Sequence, residues 1–391
     1  MTTVELTKPK TTKTESTTDE LVKFTVDIQT FNQALAQCGR AVPTRPSHPV
    51  LANLLFKVAS DRITIIGFDL GLGIQIEIPT AGLLTTNGNV TLPAKLLSDI
   101  VGKLPAGELE ITVDREFNAT LSCSSGRYTL KGMEATEYPD LPVVDGEVVE
   151  LAIADVQQAL SACLYSTSTD ETKQVLTGMH WTFKDDTFEF AATDGHRLAA
   201  ATVQSEADFK EEELTIPGKT LGELAKVLNS SKDESFKLRL DQAIVSIQVG
   251  NVTLNSRLLE GQYPNYNQLI PRQFTRQATL ERRTLISSLE RLAILANQKN
   301  DVVEFALNQE AQTLVLSVEA ADVGSGREEL SAQITGDDLA IAFNVKYVIE
   351  ALKAMTTTEV SINANTKTSP VVINPLGGMT TTALIMPVQA R

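Results

Sequence analysis

Cysteine is scarce in this chain, with 3 residues in 391, at positions 38, 123 and 163. So few and so scattered, they exclude a disulfide framework or a thiolate metal site and fit a reducing compartment, expected to be the cytoplasm. Histidine is as thin, and His48 and His180 stand alone, so no His/Cys cluster has metal-ligand spacing. No apolar run reaches the 18 residues that a membrane span needs. Residues 1–23 hold no apolar segment of the secretory kind. A G-x-S-x-G elbow, a Walker A loop and a Gly-rich dinucleotide loop are all missing. No catalysis, cofactor or metal is therefore expected. Positive charge is in deficit, with 34 Lys and Arg against 49 Asp and Glu and a net charge of −15. Taken alone this disfavours a nucleic-acid partner, but the total misleads if the basic residues gather on one surface.

What the chain does have is repetition, with a period of about 125 residues. A strand running into an amphipathic helix recurs at Phe24–Cys38, Val149–Cys163 and Thr279–Leu292. A second β-to-helix phrase reads TLPAKLLSDIVGKL, TIPGKTLGELAKVL and IAFNVKYVIEALKAM. A third phrase, a strand ending at a corner, reads ITIIGFD to Asp69, FEFAATD to Asp194 and LVLSVEA to Ala320. Three phrases in phase define three domains, because the period is too long for a solenoid unit.

The runs VELAI, FEFAA, AIVSIQV, VVEFAL and TLVLSV read as strands. Asp27 or Thr30, Asp155 and Thr284 are the expected caps of the first helix in each copy. Pro93, Pro217 and Asn344 stand where the second helix starts. Tyr138-Pro139, Tyr263-Pro264 and Met386-Pro387 mark the repeat ends. The expected division is a disordered, Thr- and Lys-rich tail at 1–23, then domains at 24–145, 146–273 and 274–391. Linkers are expected near 140–147 and 265–275. Strands at hairpin distance with segregated helices give an α+β class, two helices packed on antiparallel sheet in each copy.

The second helix of each copy carries two lysines seven or eight residues apart: Lys95 and Lys103, Lys219 and Lys226, Lys346 and Lys353. That spacing keeps each pair on nearly one face, opposite stripes such as Leu97, Ile100 and Val101. One such face is an ordinary solvated surface. Repeated three times and turned inward, with Arg282, Arg283 and Arg291 adding to it, it would line a hole that touches phosphates without reading bases.

The phrases AATDGHRLA (191–199), LEGQYPNYNQLIP (259–271), FNVKYVIEAL (343–352) and the ending LIMPVQAR resemble the bacterial DNA polymerase III β subunit family, the sliding clamps. The likeness covers 24–391. It implies three tandem copies of one clamp domain, two subunits joined head to tail in a dimeric ring, and duplex DNA bound without sequence preference. It also implies partner proteins that dock by a short clamp-binding motif, namely the polymerase III catalytic subunit, the clamp loader and other DNA-processing proteins. The resemblance places a peptide pocket between the second and third domains. From the second it draws Leu176, Thr193, Gly195, His196, Arg197 and Leu198, with Pro264 and Leu269 near its end. From the third it draws Asn344, Tyr347, Thr368 and Pro370, with Leu384, Ile385, Met386, Pro387 and Val388 on the last strand. Gln268 and the Gln389-Ala390-Arg391 ending depart from the common pattern. DNA contact is implied at Arg45 and around Lys173, and a subunit contact at Tyr128 and Leu130 against Ile294 and Leu295.

Asp194 beside His196 also invites a second reading, a cytosolic tandem-domain hydrolase. That chemistry needs a nucleophile and an orienting acid around the imidazole. The plainer reading of TDGH is a turn whose glycine takes a positive φ.

Overall fold

Two helices and at least eight strands recur three times in one order. The computed structural model describes residues 20–80, 86–184, 187–204, 211–241, 243–296, 300–320 and 324–389. The first repeat runs β1 (Glu20–Asp27), α1 (Ile28–Cys38), β2 (Asn53–Val58), β3 (Arg62–Phe68), β4 (Leu72–Pro79), β5 (Gly88–Pro93), α2 (Ala94–Val101), β6 (Glu108–Asp114), β7 (Asn118–Cys123) and β8 (Gly126–Lys131). The second runs β9 (Val148–Ala152), α3 (Ile153–Cys163), β10 (Gly178–Lys184), β11 (Thr187–Thr193), β12 (Arg197–Gln204), β13 (Glu212–Pro217), α4 (Gly218–Ser230), β14 (Ser235–Asp241), β15 (Ile244–Val249) and β16 (Val252–Arg257). The third runs β17 (Arg276–Glu281), α5 (Arg282–Ala296), β18 (Val302–Asn308), β19 (Thr313–Ala320), β20 (Gly324–Ser331), a short β21 (Gln333–Thr335), β22 (Leu339–Asn344), α6 (Val345–Ala354), β23 (Glu359–Ala364), β24 (Val371–Pro375) and β25 (Thr380–Ile385). Among the described residues no helix is long and apolar enough to cross a membrane.

The chain divides into two compact units, the first ending at Asp140 and the second beginning at Leu141. In the first unit the strands order as β1-β6-β7-β8 and β5-β2-β3-β4. In the second they order as β9-β14-β15-β16, β13-β10-β11-β12-β25-β24-β23-β17-β21 and β20-β19-β18-β22. The ladders are antiparallel, as hairpin-distance strands require. The middle ladder of the second unit is where the second and third repeats join: β12 pairs with β25, Arg197 opposite Ile385 and Leu198 opposite Leu384.

The expected tail at 1–23 is corrected at its end. β1 starts at Glu20, because the alternation of buried Val26, Phe24 and Val22 continues that far. Residues 1–19 lie outside the described residues.

Each repeat's first helix is anchored in the same way. The N–H of its first residue donates to a carbonyl just before the strand that follows the second helix: Ile28 to Gly107 (2.9 Å), Ile153 to Glu234 (2.9 Å) and Arg282 to Thr358 (2.8 Å). Of the side-chain caps expected for these three first helices, only one forms. Asp27 accepts from Thr30 N at 2.9 Å, whereas Asp155 sits in the first turn of α3 after Ala152. Thr284 lies inside α5, its hydroxyl on Glu281. Asn344 caps α6, accepting from Lys346 N (3.0 Å) and Tyr347 N (3.4 Å).

The two buried cysteines are equivalent as well. Cys38 Sγ donates to Ile65 O (3.3 Å) and Cys163 Sγ to Phe190 O (3.6 Å), and burial pushes both thiols up. The end of α1 lies so close to β3 that a Cβ on Gly67 would meet Cys38 O at 2.1 Å.

Candidate functional site

The seam between β12 and β25 is the centre of the site. Side chains alternate across a strand, so Leu198 and Leu384, paired in register, face one side together. There they join Ala191, Tyr263, Tyr266 and Val372 in an apolar cluster, with Val175, Leu176, Ile270 and Phe274 packed against it. Leu269 (54%) and Met386 (38%) are exposed large apolar side chains on segments that adjoin it. The next residue on β25, Ile385, points the other way into the core of the third repeat and is 1% exposed. It is corrected from pocket wall to core residue, the consequence of a period of two.

The corner before β12 is held by hydrogen bonds. Thr193 N donates to Tyr263 Oη (3.0 Å), and Thr193 Oγ1 to Arg197 O (2.6 Å). Gly195 sits at φ +92° and donates to Thr193 Oγ1 at 3.1 Å, a conformation that few other residues reach without strain. His196 is exposed, and its carbonyl accepts from Met386 N at 2.9 Å, tying the corner to the end of β25. Val388 N continues the chain onto Ala342 O at 2.8 Å, with half-buried Pro387 between.

Asp194 Oδ1 accepts from the backbone N–H of His196 (2.8 Å) and Arg197 (3.0 Å), and Oδ2 faces Arg197 Nε (3.1 Å). Both oxygens are occupied by the turn and the guanidinium, so Asp194 orients no imidazole. The hydrolase reading is set aside on that geometry.

Arg197 joins the repeats. Its guanidinium donates to Tyr165 O (2.6 Å), pairs with Glu350 on α6, and lies 5.3 Å from the Tyr165 ring centre and 4.4 Å from that of Tyr347. The Tyr347 ring thus lies against Arg197, and the side chain of Asn344 is taken by its capping bonds. Thr368 and Pro370 lie in the turn leading into β24, whose Val372 joins the cluster. Pro264 is exposed after buried Tyr263.

Sequence reasoning missed Tyr165, Tyr263, Tyr266, Val372 and Glu350. A signal existed for Tyr263, because the repeated Tyr-Pro pair marks a structural tyrosine. Tyr138 Oη donates to Ile66 O (3.4 Å) in the first repeat, as Tyr263 Oη accepts from Thr193 in the second. Burial pushes both phenols up. His180 stacks on Tyr263 at 4.7 Å, with Nδ1 3.1 Å from Thr215 Oγ1 and Nε2 3.8 Å from Glu213.

All six paired lysines are exposed, as is Arg45. Lys103 lies beyond the end of α2, which stops at Val101 before Gly102. Three lysines of the second unit hold carboxylates: Lys226 with Glu223 (2.7 Å), Lys346 with Asp301 (2.9 Å) and Lys353 with Glu290 (2.7 Å). Lys173 donates to Asp194 O at 3.2 Å. Two expected additions to the basic surface are corrected. Arg282 donates to Thr357 O (2.6 Å) and Leu352 O (3.1 Å), at the end of α6, and Arg291 grips Glu328 of β20 through two bonds of 2.8 and 2.6 Å. Arg283 remains exposed.

β8 and β20 each end their sheet order. Tyr128 is 38% exposed on β8 and Ile294 is 68% exposed on α5. Leu295 is half-buried against the third repeat's core. Leu130, expected at a subunit contact, is 4% exposed and packed into its own unit opposite buried Ala119 of β7. No group of three or more His, Cys, Asp or Glu side chains among the described residues could hold a metal ion.

Comparison with known proteins agrees over nearly all of residues 22–389. Residues 22–142, 150–265 and 267–389 match, in order, the N-terminal, central and C-terminal domain families of the DNA polymerase III beta subunit. The beta sliding clamp of Synechococcus elongatus is 45% identical over 368 residues, covering 92% of this chain and 97% of that one. That of Synechocystis sp. is 41% identical over 381 residues, with the same two coverages. The crystal structure of the Bacillus subtilis DNA polymerase sliding clamp superposes with a TM-score of 0.88 at 27% identity, covering 95% of this chain and 100% of that one. The chain belongs to the DNA polymerase III beta subunit family, the sliding clamps, and is a non-catalytic processivity factor of DNA replication.

Proposed function

We propose that two copies of this chain join head to tail, β8 of one along β20 of the other, to enclose duplex DNA, and that partner proteins insert a short apolar peptide at the β12–β25 seam. Lys95, Lys103, Lys219, Lys226, Lys346 and Lys353 face the duplex, with Arg45 and Lys173 at its margin. Tyr128 and Ile294 meet at the subunit contact, with Leu295 beside it. The partners are the polymerase III catalytic subunit, the clamp loader and other proteins carrying the clamp-binding motif, and the compartment is the cytoplasm. The domains divide at 145/146 and 273/274, the first now starting at residue 20.

The observation that carries this reading is the seam itself. Leu176, Leu198 and Leu384 are drawn from two repeats into one apolar patch. Exposed Leu269 and Met386 adjoin it, and the Thr193–Arg197 corner supplies polar anchors. A short peptide bearing leucine and phenylalanine suits such a groove. The ring needs no tight grip on phosphate, so a net charge of −15 is compatible with a DNA partner.

The test is processive synthesis on a primed circle with polymerase and loader. Adding this chain is expected to lengthen the product tracts, and a chain ending at Ile385 is expected to lose that effect. Equal tract lengths with and without the chain would overturn the proposal.

A further inference from the structure

The lysines assigned to the duplex carry their own counter-ions. Glu223, Asp301 and Glu290 lie within 2.7 to 2.9 Å of Lys226, Lys346 and Lys353. Two of these carboxylates are fixed in place. The Glu223 side chain is 13% exposed and that of Asp301 26% exposed, while their lysines are more than half exposed. Asp301 is the more constrained of the two. It sits at φ +58°, its backbone N–H donates to Ala296 O (3.0 Å), and its carbonyl accepts from Val345 N (2.7 Å). One carboxylate oxygen, Oδ1, is buried with no hydrogen-bond partner among the described residues, and the other holds Lys346.

Stability does not account for the arrangement, since a pair with an exposed lysine contributes only about 0–1 kcal/mol. We infer that Glu223, Glu290 and Asp301 are tethered counter-ions that keep three lysines from gripping phosphate and so hold the duplex loosely enough to slide. The inference rests on the proposed orientation of those lysines towards DNA. Its physical basis is counter-ion release. A lysine that neutralises a phosphate frees a cation condensed on the DNA, and the entropy of that release favours binding. A lysine already neutralised by a protein carboxylate displaces fewer of those cations, because the carboxylate cannot leave and its negative charge stays beside the phosphate and repels it.

The experiment compares the dimeric chain with the variant E223Q/E290Q/D301N on a short linear duplex, measuring binding by fluorescence anisotropy over a series of salt concentrations. Asparagine takes the left-handed conformation at 301 as aspartate does. The variant is expected to bind more tightly at low salt, with its plot of log Kobs against log salt steeper by about 0.9 for each phosphate newly engaged. Adding K226Q/K346Q/K353Q should abolish the gain. If the triple carboxylate variant melts without cooperativity, E223Q and E290Q singly carry the same readout, about 0.9 each. The inference is overturned if the slopes match while the lysine variant alone binds more weakly. In that case the lysines reach DNA but the carboxylates do not restrain them. If neither set changes binding, the orientation of the lysines is wrong and the inference falls with it.

Discussion

The guanidinium carbon of Arg197 lies 4.4 Å from the centre of the Tyr347 ring, joining the second repeat to the third. With Asp194, Glu350 and the Tyr165 carbonyl also on that side chain, which is 10% exposed, Arg197 fastens the corner of the β12–β25 seam. Arg197→Ala should destabilise the second unit by about 3 kcal/mol, since it strands a mostly buried carboxylate, and should weaken peptide binding. Arg197→Lys should restore little, because an ammonium cannot reproduce the planar fork. Calorimetric peptide titration alongside denaturant unfolding checks both statements.

Gly67 offers a test of the first unit alone. A Cβ there would meet Cys38 O at 2.1 Å, backbone against side chain. Gly67→Ala should cost about 2 kcal/mol through overpacking, read as a lower denaturant midpoint with an unchanged slope.

His180 predicts a pH dependence. Burial lowers its pKa from 6.5, although Glu213 at 3.8 Å works in the opposite direction. The unfolded chain then binds the proton more readily, so stability is fully present above about pH 6.5 and is lost as pH falls from there towards the folded-state value. Because His180 stacks on Tyr263 in the groove, peptide binding should weaken over the same window. Thermal melts and peptide titrations of the chain and of His180→Gln at pH 7.5 and pH 5.5 check this. The variant should show a flatter pH profile.

Charge reversal of Lys95, Lys219 and Lys346 together should slow loading and shorten synthesis tracts while leaving the dimer intact. Sedimentation and primer extension read the two effects separately. Unchanged synthesis would remove these residues from the duplex-facing set.

Much of this fold was written in local pattern. The alternating burial of β1 and the caps at Asp27 and Asn344 depend on neighbours a few residues apart, which periodicity and capping chemistry reveal, and the period of about 125 residues is those local phrases repeated. The site is legible only in part for the opposite reason. Arg197 reaches Glu350 across 153 residues, and Lys353 reaches Glu290 from one helix to another. Such contacts join residues far apart in the chain, the first of them across the β12–β25 seam, and no local spacing encodes them. The misplacement of Ile385 has a simpler cause. Adjacent strand residues face opposite ways, so naming a segment names both faces at once.

The most direct test is topological. The chain is loaded onto nicked circular DNA, the complex is washed at high salt, and the circle is then cut once. Retention on the circle followed by prompt release from the linear product is the predicted result. Retention that cutting leaves unchanged would contradict the enclosure of DNA by this chain.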